Sequence, residues 1–184
     1  MKNLLTEKQV MLISGTRKGL GKSFAEYYSK KGFTVIGCSR KPIDYKIKNY
    51  YHFCLDVSDE KKVKEMFFFI KKKFGRLDVL INNAGIGSMN HSLLTPISTV
   101  HRILNTNLVA NFIMSTESAK IMKKNRFGRI VNLVSFAVPF KLEGEAIYAA
   151  SKAAIISLTE TLSREFADYG KLLMQFHLQL FLLI

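Results

Sequence analysis

Tyr148 and Lys152, four residues apart in the stretch IYAASK, carry side chains that together could transfer a proton. Residues at this spacing share one face of a helix, so the ammonium group would lie close to the phenol. A nearby positive charge stabilises phenolate and lowers the pKa of the tyrosine, which becomes usable as a general acid/base near neutral pH. Taken alone, such a pair is usually a surface feature. Its interpretation depends on two further polar residues, Ser135 at the end of an apolar run and Asn107 in the stretch NTNL.

A glycine-rich loop, SGTRKGLG, follows the first apolar run and contains Gly15, Gly19 and Gly21. Glycines at this spacing permit a tight turn, and the helix that follows offers oriented N–H groups to a pyrophosphate. A plain turn would explain the glycines equally well if the loop stood alone. Between a strand and a helix, the loop predicts dinucleotide binding.

The stretch GCSRKP, which follows the second apolar run, indicates which dinucleotide is bound. An acidic residue at this place would hydrogen-bond the ribose hydroxyls of NAD, but the chain has Arg40 there, with Arg17 and Lys18 in the glycine loop. Cations at both places suit a 2′-phosphate, which an arginine can bind through two hydrogen bonds. The residues therefore favour NADP(H) over NAD(H). The alternative is that these are ordinary loop charges in a lysine-rich protein.

These residues need a scaffold, and the pattern of apolar runs predicts an α/β fold. Five strands that are apolar throughout alternate with helices, which indicates a doubly wound parallel sheet of the Rossmann type covered on both faces. Ser58 is the predicted N-cap of the second helix, and Cys38 and Cys54 are predicted to be reduced, buried thiols. The predicted strands lie near 9–14, 33–39, 50–57, 77–85 and 128–135, and the helices near 19–31, 58–74, 100–124 and 147–169.

With these motifs in this order, the sequence resembles the short-chain dehydrogenase/reductase family from Met11 to about Gly170. The glycine loop, Asp56 in LDV and the motif NNAG at 82–85 match family signatures. The resemblance implies that Asn107, Ser135, Tyr148 and Lys152 form the catalytic tetrad. Asn107 would position a water, Ser135 would hold the substrate oxygen, Tyr148 would transfer the proton, and Lys152 would bind ribose and lower the Tyr148 pKa. The predicted cofactor-binding residues are Gly15, Arg17, Lys18, Gly19, Leu20, Gly21, Arg40, Asp56, Val57, Asn83, Ala84, Gly85, Tyr148 and Lys152.

The predicted function is hydride transfer between a nicotinamide cofactor and a carbonyl or alcohol substrate, with 3-oxoacyl-carrier-protein reduction as one candidate reaction. A non-catalytic nucleotide-binding remnant is the alternative. The formal net charge of +14 raises nucleic-acid binding as a third hypothesis, but the lysines are scattered and form no basic stripe. The four histidines lack metal-ligand spacing, so no metal site is expected. A single cytoplasmic domain over 1–184 is expected, with no membrane segment and with homo-oligomers formed through the two long helices.

The tail KLLMQFHLQLFLLI (171–184) departs from the family pattern, which continues with a strand, a Pro-Gly turn and a substrate lid. In a shifted reading frame, the codons of Met174 and Gln175 force an alanine followed by isoleucine or valine, and synonymous codons allow NAISP. The tail therefore suggests a frameshifted, prematurely terminated reductase with weak or no turnover. It is too short and polar for a membrane anchor, but it is apolar enough to form a sixth strand.

Overall fold

The fold was analysed in a computed structural model, which describes residues 8–169 and 171–179. The apolar runs of the sequence form strands, because β-branched and aromatic side chains pack well on a pleated sheet that is buried on both faces. The strands are β1 (Val10–Ser14), β2 (Thr34–Ser39), β3 (Tyr50–Cys54), β4 (Val79–Asn82), β5 (Phe127–Ser135) and β6 (Lys171–Gln179).

Helices separate the strands along the chain, except that a loop over 40–49 joins β2 to β3. They are α1 (Gly19–Lys30), α2 (Glu60–Phe74), α3 (Ile97–Leu104), α4 (Ala110–Asn125), α5 (Ala137–Phe140) and α6 (Ala146–Glu165). Short 3₁₀ turns occupy Ser92–Leu94 and Ala167–Tyr169, and a π-helical turn over Asn105–Val109 joins α3 to α4. The predicted helix over 100–124 is therefore two α-helices with a wider turn between them.

All the strand pairs are parallel, and the sheet order is β3-β2-β1-β4-β5-β6. This confirms the predicted doubly wound fold. The winding reverses at β1, which pairs with β2 on one side and with β4 on the other. Ligands of such sheets bind at the carboxyl ends of the strands beside this reversal, so the loops after Ser14, Ser39 and Asn82 are the first place to look for a site.

Successive residues of each strand face opposite sides of the sheet, and both sides are buried. Leu12 and Leu80 belong to the larger core on the side of α2 and α4, whereas Met11, Ile13 and Ile81 belong to the smaller core on the side of α1. Burial of this apolar surface on both faces provides most of the stabilisation and holds the strand ends in place.

Two local predictions are wrong. Asp59, not Ser58, is the N-cap of α2, because the Asp59 side chain accepts a hydrogen bond from the Lys62 backbone N–H at 3.2 Å. Both cysteines are free thiols, but only Cys38 is buried, and burial raises its pKa to about 12. Cys54 is exposed because it ends β3, the edge strand of the sheet.

The first nine residues of the atypical tail form β6, which pairs with the whole of β5 from Phe127↔Lys171 to Ser135↔Gln179. This backbone therefore adopts the strand alternative, whatever the origin of its sequence. Gly170, the predicted end of the last helix, and residues 180–184 lie outside the described residues. Oligomerisation through the long helices stays a prediction, for which Val109 and Phe112 offer apolar side chains that are 43% and 47% exposed.

Candidate active site

The carboxyl end of β5 and the first turns of α6 bring three of the predicted catalytic side chains together. Ser135 is the last residue of β5, and its hydroxyl lies close enough to the Tyr148 phenol to favour phenolate. Lys152, one turn further along α6, is 6% exposed and donates from Nζ to the Leu133 carbonyl oxygen at 2.7 Å. Burial lowers the Lys152 pKa to about 8, because an ammonium group loses hydration when it leaves water.

The Tyr148 pKa does not move in the direction that the spacing predicted. Burial raises it, and the nearby Ser135 hydroxyl opposes this only in part. The Lys152 ammonium lies 5.9 Å from the centre of the Tyr148 ring and points to the backbone of β5. Helical spacing thus brings the two side chains close, but desolvation dominates the pKa of the phenol in this state of the protein.

Asn107, the fourth predicted catalytic residue, lies in the π-helical turn and is 1% exposed. Its side chain pairs with both backbone groups of Ile86: Oδ1 accepts from the amide and Nδ2 donates to the carbonyl, each at 2.9 Å. Nδ2 also donates to Ser151 Oγ at 2.9 Å, and Ser151 donates to the Tyr148 carbonyl oxygen. Asn107 therefore connects the loop after β4 to the helix that carries Tyr148.

That loop passes close to the catalytic side chains at two glycines. A Cβ atom at Gly85 would lie 3.5 Å from Lys152 Nζ, and one at Gly87 would lie 3.5 Å from the Tyr148 ring. The loop after β4 thus forms one wall beside Tyr148 and Lys152. Gly87 was not predicted from the sequence, although its place two residues after NNAG could have indicated it.

The loops after β1 and β4 are joined directly at the reversal point of the sheet. The Ser14 hydroxyl accepts hydrogen bonds from the backbone N–H groups of Asn83 and Ala84, at 3.0 and 2.9 Å. The Asn83 side chain donates in return to the carbonyls of Ser14 and Gly15, at 2.9 and 3.2 Å. Asn83 and Ala84 therefore hold the glycine loop in position.

The glycine loop has the backbone geometry that an anion site requires. Gly15 and Gly19 have φ values of +76° and +60°, which residues with a side chain rarely adopt. A Cβ atom at Gly21 would collide with the Gly15 carbonyl oxygen. Lys18 is the N-cap of α1 but makes no capping hydrogen bond with its side chain. The first N–H groups of α1 consequently have no side-chain cap, and they can bind a phosphate.

A cavity of about 420 Å³ lies between these loops and contains most of the predicted cofactor-binding residues. Predicted residues in its lining are Gly15, Arg17, Lys18, Gly19, Leu20, Arg40, Val57, Asn83, Ala84 and Gly85. Lining residues that the sequence reasoning missed are Cys38, Ser39, Lys41, Leu55, Ile86 and Thr106. Of these, Lys41 could have been found from its charge beside Arg40, whereas the others have no distinctive residue type or spacing.

The remaining predicted residues lie outside that lining. Gly21 packs behind the loop, and the Asp56 carboxylate accepts hydrogen bonds from the Ser58 amide at 2.9 Å and the Ser58 hydroxyl at 2.7 Å. The catalytic tetrad lies beside this cavity. Gly85, which lines the cavity, lies close to Lys152, and Ile86, which also lines it, is hydrogen-bonded to Asn107. We refer to this cavity and the catalytic side chains beside it together as the crevice.

Cations are concentrated at the outer end of this crevice. A second cavity of about 540 Å³ shares Arg17, Lys18 and Lys41 with the first and adds Lys22, with Asp44 as the carboxylate in its lining. Such a site attracts a phosphate. Within the described residues, no three of His, Cys, Asp and Glu lie close enough to hold a metal ion. None of the described helices combines the length and the apolar character needed to cross a bilayer.

Comparison with known proteins agrees with this architecture. Residues 9–175 match the family model described as short chain dehydrogenase. The 3-oxoacyl-[acyl-carrier-protein] reductase FabG of Vibrio cholerae is 33% identical over 170 residues, which span 89% of this chain and 70% of that enzyme. The corresponding enzyme of Buchnera aphidicola is 36% identical with the same coverage.

Solved structures show the same fold. ElxO with NADP bound superposes with a TM-score of 0.84 at 34% identity, over 90% of this chain and 71% of ElxO. A 4-hydroxyisoleucine dehydrogenase complexed with NADH also reaches 0.84, at 28% identity, over 91% of this chain and 74% of that protein. With its doubly wound sheet, its glycine loop and its family match over most of its length, the chain belongs to the short-chain dehydrogenase family.

Proposed function

We propose that this protein is an NADP(H)-dependent oxidoreductase that transfers a hydride between the nicotinamide and a carbonyl or alcohol carbon. The observation that carries the proposal is the convergence of Tyr148, Ser135 and Lys152 at the carboxyl end of β5, next to the crevice. A bound dinucleotide would supply the hydride. The protein would bind the dinucleotide, orient the substrate oxygen and provide the proton.

Tyr148 is suited to donate that proton in the reductive direction. Because burial raises its pKa, the phenol keeps its proton at neutral pH and can give it to a carbonyl oxygen that becomes an alkoxide. The Ser135 hydroxyl, which lies beside Tyr148, can donate a hydrogen bond to the same oxygen and so hold the carbonyl in line. Lys152 lies within reach of the phenol and would stabilise the phenolate that remains.

Asn107 has a second role in this proposal besides the water that the family resemblance implies. Both of its amide hydrogens are used, one by the Ile86 carbonyl and one by Ser151. It therefore fixes the loop wall relative to α6, and through it the distance between the crevice and Tyr148. Small displacements at this point would misalign the reacting atoms, and such misalignment is costly in rate.

NADP(H) is favoured over NAD(H) by the cations of the crevice. Arg17, Lys18, Arg40 and Lys41 line the cavity around the end of β2, where a carboxylate would favour the free ribose hydroxyls of NAD. The relatives alone do not decide the point, since ElxO was solved with NADP and 4-hydroxyisoleucine dehydrogenase with NADH. The preference for NADP(H) therefore rests on the positive charge of the crevice.

The similarity to FabG enzymes supports a 3-oxoacyl thioester as the first substrate to test. Acetoacetyl-coenzyme A is a soluble probe of that class. We expect NADPH oxidation, followed at 340 nm, to depend on this substrate, and Tyr148→Phe to abolish the rate while leaving NADPH binding intact. Tyr27→Phe, at an exposed position on α1, is the matched control.

Three other outcomes have distinct meanings. NADPH binding without Tyr148-dependent oxidation of any carbonyl would refute the catalytic role and favour the non-catalytic alternative. Binding of NADH with equal or higher affinity than NADPH would refute the cofactor assignment while leaving the proton-transfer roles intact. Weak turnover would still support the proposal if Tyr148→Phe removed it.

A further inference from the structure

A series of partly buried side-chain hydrogen bonds lies beside the cationic end of the crevice, and none of the catalytic or cofactor-binding roles above uses it. The Thr16 hydroxyl lies 2.8 Å from the Tyr50 hydroxyl, which lies 2.8 Å from His52 Nδ1. His52 Nε2 lies 3.1 Å from the Ser39 hydroxyl, which donates to the Lys41 carbonyl oxygen at 2.7 Å. Two side chains of the edge strand β3 thus connect the glycine loop to the loop after β2.

The number of hydrogen atoms that each group can donate shows which partner is the donor in each bond of this series. Ser39 has one hydroxyl hydrogen and donates it to the Lys41 carbonyl, so His52 Nε2 must be the donor to Ser39. Burial lowers the His52 pKa, so the neutral ring carries no second hydrogen and Nδ1 accepts from Tyr50. Tyr50 then accepts from the Thr16 hydroxyl, whose 2.8 Å contact with Tyr50 is shorter than its 3.5 Å contact with the Cys38 carbonyl oxygen. Each group in the series makes the bonds that its neighbours require.

The fold leaves space for this series of hydrogen bonds at a glycine. A Cβ atom at Gly37, in the middle of β2, would collide with the Tyr50 hydroxyl and with Thr16 Oγ1. The Tyr50 and His52 rings also stack, with centroids 5.9 Å apart and planes inclined by 24°. The glycine that follows three β-branched residues in β2 therefore has a specific use, which is to leave space for the Tyr50 hydroxyl.

The two ends of this series of hydrogen bonds lie next to the cationic residues of the crevice. Arg17 and Lys18 follow Thr16, while Arg40 and Lys41 follow Ser39, and all four line the cavity. Their side chains are long and exposed, so their spacing depends on the backbone that carries them. Other bonds also reach the glycine loop: the backbone N–H groups of Gly15 and Thr16 donate to the Cys38 carbonyl, and the Tyr45 hydroxyl donates to the Thr16 carbonyl. The side-chain series differs from them because it reaches Ser39 and the Lys41 backbone, beside Arg40.

We propose that Tyr50 and His52 are positioning residues for cofactor selection, which fix the separation of the two cationic loops so that both reach the same 2′-phosphate. They would not touch the cofactor themselves. This inference rests on the proposed NADP(H) dependence. It differs from a general structural role because it concerns the phosphate specifically, and not the adenosine that both cofactors share.

The test compares two small ligands that differ by that phosphate, 2′,5′-ADP and 5′-AMP, by titration calorimetry on the full chain. We expect wild type to bind 2′,5′-ADP more tightly. Tyr50→Phe and His52→Leu should reduce this preference about three- to tenfold, with the affinity for 5′-AMP nearly unchanged. His52→Gln keeps an N–H donor for Ser39 and should restore most of the preference.

Tyr51→Phe is the matched control, because the neighbouring Tyr51 ring points to the other side of β3 and packs against Phe69 and Phe74. It should leave the preference unchanged. Tyr50→Phe keeps the ring and its packing, so it carries the test even where His52→Leu does not fold. Equal weakening of both ligands would refute the positioning role, since general loosening affects them alike.

Failure of the inference and failure of the proposed function are distinguishable. A wild-type preference for 2′,5′-ADP that survives both Tyr50→Phe and His52→Leu refutes the positioning role alone. Absence of that preference in wild type refutes the NADP(H) assignment, and the positioning role that depends on it. Loss of the preference in both variants, with recovery in His52→Gln, supports it.

Discussion

Lys152 places an ammonium group in the interior, and its replacement by methionine should stabilise the fold. Burial lowers its pKa from 10.5 to about 8. That difference corresponds to about 3 kcal/mol of destabilisation at pH 7, where the lysine is charged both folded and unfolded. Methionine has a similar length and no charge, but it gives up the hydrogen bond to the Leu133 carbonyl, worth about 1–2 kcal/mol. Lys152→Met should therefore be more stable than wild type by about 1–2 kcal/mol at pH 7.

The pH dependence of this difference has a definite sign. Above pH 8 the folded protein releases the Lys152 proton, whereas the unfolded chain holds it up to 10.5. Over that window the unfolded state binds more protons, so wild-type stability rises with pH relative to the variant. Between pH 7 and 9.5 wild type should recover about 2 kcal/mol, enough to cancel the advantage of Lys152→Met.

Urea unfolding of wild type and Lys152→Met at both pH values measures this directly. Other titrating groups are common to the two proteins, so they cancel in the comparison. Lys61→Met, on the exposed face of α2, is the control and should differ from wild type by less than about 0.5 kcal/mol at either pH. A stability difference between Lys152→Met and wild type that is the same at pH 7 and 9.5 would refute the reasoning.

Three other substitutions test the supporting structure. Asp78 is 1% exposed and accepts from the Val10 amide at 2.7 Å and from a neighbouring guanidinium, so Asp78→Ala should lower the free energy of unfolding by about 3 kcal/mol, measured by urea titration. Gly21→Ala would press a methyl group against the glycine-loop backbone, and we expect at least about tenfold weaker NADPH binding by fluorescence titration. Asn107→Ala removes both hydrogen bonds to Ile86, and the Ile86 amide should exchange its hydrogen at least about tenfold faster, as NMR can measure.

The sequence was sufficient for the fold and for the convergence of Ser135, Tyr148 and Lys152. A strand end and a helical i, i+4 pair are local features, and the parallel topology then brings strand ends to one edge. Desolvation is different, because it depends on everything packed around a group. The spacing therefore predicted that Tyr148 and Lys152 lie close, but it could not predict that burial would raise the Tyr148 pKa.

The other surprises are also non-local or depend on one hydrogen bond. Tyr50 and His52 can hydrogen-bond Thr16 and Ser39 only after β3 pairs with β2, and no local residue pattern predicts these contacts. The π-helical turn has no periodicity of its own over five residues, so it was absorbed into one predicted helix. At the start of α2, consecutive Ser and Asp were both good caps, and backbone geometry chose Asp59.

The direct bonding between Ser14 and the pair Asn83–Ala84 has a kinetic consequence. These partners are 69 and 70 residues apart in the chain, so the glycine loop takes its final shape only after β4 has docked beside β1. Contacts across such long separations form late, because closing a long loop costs entropy before it yields contacts. A nucleotide that binds the finished crevice should slow unfolding and leave the rate of refolding almost unchanged, since the transition state has no completed site for it.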